Sequence, residues 1–96
     1  MQISIIKEIN SIEQRVSAVP DNIRLLKSFG ADILVEASAG ELSGFSDEQY
    51  ELAGAKISDR SKCLQSDICL CVRMPKKEDL NLLKKGSILI GILNPY

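Results

Sequence analysis

The sequence predicts an α/β fold with an open, mostly parallel sheet and helices on both faces, a Rossmann-like or flavodoxin-like three-layer arrangement. Short, near-continuous apolar runs rich in β-branched residues recur along the chain, as expected of strands buried on both faces. Amphipathic segments with marked ends separate them, and the alternation repeats at short intervals. The 96 residues leave room for one domain, 1–96.

"ISIIKEI" reads as the first strand and "PDNIRLLKSFG" as the first helix, with Pro20 in the opening turn and Asp21 at the positive end. Ile23, Leu26 and Phe29 form its apolar face and Gly30 its stop. "ADILVEA" follows as a strand, which completes a βαβ unit with a right-handed crossover. "SDEQYELAG" opens on Ser46 with Gln49 three residues on, a capping box, and Gly54 closes that helix. "AKI" reads as a brief strand and "SDRSKCLQS" as a weakly periodic helix capped by Ser58 or Asp59. "DICLCV" is a buried strand, "PKKEDLNLLKKG" a helix with Leu80 and Leu83 inward and Gly86 as its stop, and "SILIGIL" a final buried strand. Helices are few and none follows the last strand, so one side or edge of the sheet should be bare and the sheet incomplete. A marginal monomer is expected, and the bare edge permits a homodimer.

Lysine and arginine number 12 against 13 acidic residues and are scattered, so the footprint of a nucleic-acid or anionic-membrane binder is missing. The first ten residues lack a signal-peptide pattern, and "SILIGIL" is far shorter than the ~18 residues of a membrane helix, so a cytoplasmic chain without membrane insertion is expected. Histidine is absent, which removes the commonest general base and metal ligand. Cys63, Cys69 and Cys71 read as reduced core thiols, because the C-x-C spacing is not the C-x-x-C of a redox or zinc site. No metal site is expected.

The first strand-to-helix turn has no G-x-G-x-x-G, and "GELSG" matches neither that fingerprint nor a P-loop, so no cofactor-binding residue is assigned. Arg15 follows the first strand and Arg73 follows "DICLCV". Parallel strands bring those ends to one rim, the side on which α/β sheets gather ligands. Two guanidiniums there have the geometry to hold a carboxylate or phosphate; the plainer alternative is a pair of solvated loop arginines.

The stretches "IIKEI", "EQRVSAVP", "ILVEASAGELSGFSDEQYELAGAKI", "CVRMP" and "LKKGSILIGILNP" resemble, in order and over nearly the whole chain, the N-terminal domain shared by alanine dehydrogenases and the α subunit of proton-translocating NAD(P) transhydrogenase. The resemblance implies a longer protein, in which a separate Rossmann domain holds the nicotinamide cofactor. It implies a substrate-binding role for the arginine matched by Arg15. It also places Arg73 where alanine dehydrogenases carry a lysine, and Asn94 where they carry a catalytic histidine. Asparagine is no acid or base at neutral pH, so alanine oxidation is disfavoured and no catalytic residue is assigned. The ending "ILIGILNPY" is more similar to the transhydrogenase α subunit, although Arg73 stands where that branch has an uncharged polar residue.

The resemblance then implies the N-terminal part of that subunit. The reaction is hydride transfer between NADH and NADP, coupled to proton translocation in a complex peripheral to the inner membrane. The partners are the remaining α and β subunit parts, and NAD and NADP bind elsewhere in the complex, not on this piece, which is inactive alone. An alanine dehydrogenase-like domain and a non-catalytic interaction module are the alternatives.

Overall fold

The structure, a computed structural model, describes residues 1–8, 18–72 and 77–91, except the side chain of Leu42. In chain order the elements are β1 (Gln2–Ile5), α1 (Pro20–Ser28), β2 (Asp32–Glu36), a 3-10 turn (Glu41–Ser43), α2 (Asp47–Leu52), β3 (Lys56–Ser58), α3 (Arg60–Leu64), β4 (Ile68–Cys71), α4 (Lys77–Leu80) and β5 (Ile88–Gly91). All five strands are parallel, in the order β3-β2-β1-β4-β5. This is the doubly wound order of the Rossmann class: the chain builds outward from β1 on one side, then crosses back to build on the other.

Period-2 alternation divides the core in two. Ile3 and Ile5 of β1 and Ile33 and Val35 of β2 pack with Ile23 of α1 and Tyr50 of α2 on one face. On the other, Ile6 and Cys69 pack with Leu64 of α3, and Leu83 and Leu89 lie against them. Ser4 also faces that second layer and is fully buried; its hydroxyl donates to the Cys63 carbonyl at 2.6 Å and is 2.7 Å from the Ser66 hydroxyl. The three cysteines are free and buried, as their apolar surroundings predict.

The helix ends follow the local chemistry. Pro20 starts α1, and the Asn22 side chain accepts from the Val19 amide at 2.9 Å. Gly30 and Gly54 take up left-handed φ of 89° and 112° after α1 and α2. At α2 the Ser46 hydroxyl accepts from the Gln49 amide at 3.3 Å, while the Gln49 side chain accepts from the Ser46 amide at 2.8 Å. Asp59, one of the two caps expected for α3, accepts from the Lys62 amide at 2.8 Å. Ser46→Ala is expected to lower stability by about 1 kcal/mol, a fall of ~4–8 °C in Tm for a domain of this size. Ser46→Asp should retain most of it, and thermal melts of the two variants beside the parent check both.

Three expectations need correction. Phe29 is 78% exposed instead of completing the apolar face of α1. It is the C-cap, with φ −89° and ψ 4°, so the helical period no longer directs its side chain. The helix expected over residues 75–86 is a single described turn, α4. Beyond it the amides of Leu82 and Leu83 bond three residues back to Asp79 and Leu80, and Ser87 bonds to Lys84, so the chain runs in successive turns. Leu83 still packs inward, but Leu80 does not. Finally, β5 is not buried on both faces: Leu89 is packed, but Ile88 and Ile90 are 55% and 43% exposed. Among the described residues no helix covers that face of β5, since α1 and α2 pack over β1 to β3.

Candidate functional site

Ligand crevices in open α/β sheets form at the carboxyl ends of the strands, where the direction of winding reverses. Here that point lies between β1 and β4, which pair in register from Ile3↔Ile68 to Ile5↔Leu70. The ladder continues one residue further, through the Ile6 amide to the Leu70 carbonyl at 3.1 Å. Arg15 and Arg73 follow these two adjacent strands in sequence. Arg15, Arg73 and Asn94 themselves lie outside the described residues, so the structure brings together the exits that lead to the two arginines.

A connected set of polar contacts organises those exits. The Glu36 carboxylate, at the end of β2, accepts from the Lys7 amide at 2.9 Å. Arg60, the first residue of α3, donates to the same Glu36 oxygen at 2.7 Å and to the Lys7 carbonyl at 2.9 Å. Its second terminal nitrogen donates to Asp79 of α4 at 2.8 Å. Glu8 then accepts from the Val72 amide at 2.9 Å, joining the exit of β1 to that of β4. Burial works against the Arg60 charge, but the hydrogen bond to Asp79 and the Glu36 charge more than offset it, so its pKa is raised and the guanidinium stays protonated.

Sequence reasoning missed Glu36, Arg60 and Asp79. Glu36 ends β2, one residue short of the strand read over 31–37, and Arg60 begins α3 inside the helix read over 58–66; parallel pairing implies that such residues share a rim. Asp79 was assigned to a long helix, where a charged residue reads as solvated.

Beside this network, the loop after β2 is tightly built. Ser38 holds a left-handed φ of 66°, unusual outside glycine, while its amide donates to the Asp47 carboxylate at 2.8 Å. "GELSG" forms the 3-10 turn and closes at Gly44 with φ 89°. Gly40 is required for a steric reason, since a Cβ there would lie 2.6 Å from the Tyr50 ring and hydroxyl.

At the described exits the Glu36 and Glu8 carboxylates accept from the Lys7 and Val72 amides. Among the described residues no group of three or more histidine, cysteine, aspartate or glutamate side chains is placed to hold a metal ion. No described helix is long and apolar enough to cross a membrane.

Residues 4–96 match the family model described as alanine dehydrogenase/PNT, N-terminal domain. Alanine dehydrogenase 1 of Staphylococcus aureus (strain bovine RF122 / ET3-1) is 35% identical over 94 residues, which are 98% of this chain and 25% of that protein. A crystal structure of transhydrogenase from Sinorhizobium meliloti superposes with a TM-score of 0.93 at 34% identity, covering 100% of this chain and 29% of the other. An L-alanine dehydrogenase structure superposes at 0.91 and 30% identity, covering 97% and 26%. The chain thus spans about a quarter of the length of the curated relatives it matches.

Proposed function

This chain belongs to the alanine dehydrogenase/PNT N-terminal domain family, and from that membership we propose that it is the N-terminal part of an NAD(P) transhydrogenase α subunit. In the complete complex it contributes to hydride transfer between NADH and NADP coupled to proton translocation, and alone it is inactive. Its partners are the remaining α and β subunit parts, which bind both nicotinamide cofactors, and its place is peripheral to the membrane. NADH supplies the hydride when bound there; this chain's part is to shape the rim from which the Arg15 and Arg73 loops depart.

The observation that carries the reading is the absence of histidine from all 96 residues, with Asn94 where the alanine dehydrogenase branch has its acid/base. An amide neither takes nor gives a proton at neutral pH, so Asn94, at the position where the resemblance places the acid/base, does not accept the proton in oxidation of an amino acid. Mixing the purified chain with the other transhydrogenase parts is expected to stimulate hydride transfer from NADH to an NADP analogue. No stimulation at any ratio defeats the proposal.

The second reading, an alanine dehydrogenase-type domain, is favoured by the 35% identity to the Staphylococcus aureus enzyme. Pyruvate-dependent NADH oxidation by the full-length gene product would establish it in place of the first.

A further inference from the structure

We propose that Arg60 is the positioning residue of the rim: by drawing Glu36, Asp79 and the Lys7 carbonyl onto one guanidinium, it fixes the exits of β1 and β2 relative to α4, and the Glu8–Val72 hydrogen bond passes that restraint on to the exit of β4. The inference rests on the transhydrogenase reading for the value it gives this rim, but the geometry is independent of that reading.

One terminal nitrogen of Arg60 serves both the Lys7 carbonyl and Glu36, and the other serves Asp79. A planar fork with fixed donors makes such a three-way junction; a lysine ammonium supplies the charge without the fork. Glu36 also accepts from the Lys7 amide, so both backbone polar groups of Lys7 are held by this cluster. The next residue, Glu8, grips the Val72 amide, and Arg73 follows directly. The path from α4 to the β4 exit therefore runs Asp79, Arg60, Glu36, Lys7, Glu8, Val72, each step a hydrogen bond or a peptide bond.

The Arg60, Glu36 and Asp79 side chains are mostly buried, unlike the solvated pair Lys84–Asp67 at the opposite rim. Removing the cation leaves two partly desolvated carboxylates without their shared partner, and their repulsion acts on the exit of β2 and on α4 together.

The test is hydrogen exchange on the 96-residue chain, with Arg60→Met and Arg60→Lys as variants and Asp67→Asn as the opposite-rim control. Arg60→Met is expected to speed exchange of the Lys7 and Val72 amides at least ~10-fold relative to those of Tyr50 and Ala55. Arg60→Lys should fall between it and the parent, and Asp67→Asn should leave both rim amides unchanged. Uniform acceleration across the sheet, or an unchanged Val72, overturns the proposal. Should Arg60→Met fail to fold, Asp79→Asn decides: it should loosen Lys7 and Val72 in the same direction, and no change at either counts against the idea.

In the reconstituted transfer assay, Arg60→Met should lower kcat about tenfold with KM for NADH within about twofold. An unchanged kcat refutes the role in positioning. A parent chain that supports no transfer defeats the functional reading alone, since the exchange measurement needs no partner.

Discussion

Tyr50→Ala is expected to remove about 3–5 kcal/mol of unfolding free energy, a large part of the roughly 5–14 kcal/mol available to a chain of this length. Tyr50 is the largest fully buried side chain, and it lies in the core formed by Ile3, Ile5, Ile23, Ile33 and Val35. Its hydroxyl donates to the Ala18 carbonyl at 2.8 Å, which ties the segment ahead of α1 to α2. Truncation leaves a ring-sized void and a buried carbonyl without its donor. Gly40→Ala attacks the same contact from the other side, because its Cβ would lie 2.6 Å from Cε2 and the hydroxyl of a ring that has no room to turn. It should cost about 1–3 kcal/mol, and the two losses should not add, since the alanine at position 40 has no ring to strike once Tyr50 is gone. Urea unfolding of both single variants and the double variant measures this; additive losses would mean that the ring does not impose the glycine.

Raising the pH above about 9 is expected to destabilise the protein steeply. Burial, then the charge of Glu36, pushes the Cys63 thiol up to about 12 from 9.0, and burial, then Glu8, pushes Cys71 to about 11. Burial, then Asp47, raises the Tyr50 phenol from 10.0 to about 12. Each group keeps its proton in the folded state at a pH where the unfolded chain has lost it, so the unfolded state binds fewer protons and stability falls as pH rises. The stabilisation is full well below the unfolded thiol value of 9.0 and is lost progressively as the pH rises through 9–12, with the phenol joining above pH 10. The urea midpoint should therefore fall steeply as the pH rises from about 9 to about 11. Cys63→Ala should flatten the slope by nearly one proton's worth; an unchanged slope would show that the folded thiol ionises freely.

The parallel sheet and most element boundaries were legible because each rests on short-range chemistry that the sequence carries openly. Ser46 with Gln49, Asp59 before Arg60, and Pro20 with Gly30 mark ends whatever surrounds them. The family resemblance was legible as well, since its motifs run in order along the chain and residues 4–96 match the family model. Phe29, the residues after Leu80 and the outer face of β5 were misread for one reason: periodicity says which residues share a face but not whether anything covers that face, or where a helix stops without a glycine. Of the site, the adjacency of the β1 and β4 exits followed from parallel pairing. The junction at Arg60 did not, because it joins residues 7, 36, 60 and 79, and no local pattern links positions so far apart.

The central place of β1 has a consequence for the birth of the molecule. Its neighbours on the two sides are made at very different times: β2 follows within a short stretch, but β4 lies 65 residues beyond its partner positions. At ~5–20 residues per second, a ribosome takes roughly 3–13 s to supply that second neighbour. During this interval the second-layer side of β1, with Ser4 and Ile6, waits without Leu64 and Cys69. A nascent chain of which only residues 1–58 have left the ribosome should therefore hold a half-sheet of β1, β2 and β3, and offer the open side of its first strand to whatever chaperone stands at the tunnel exit.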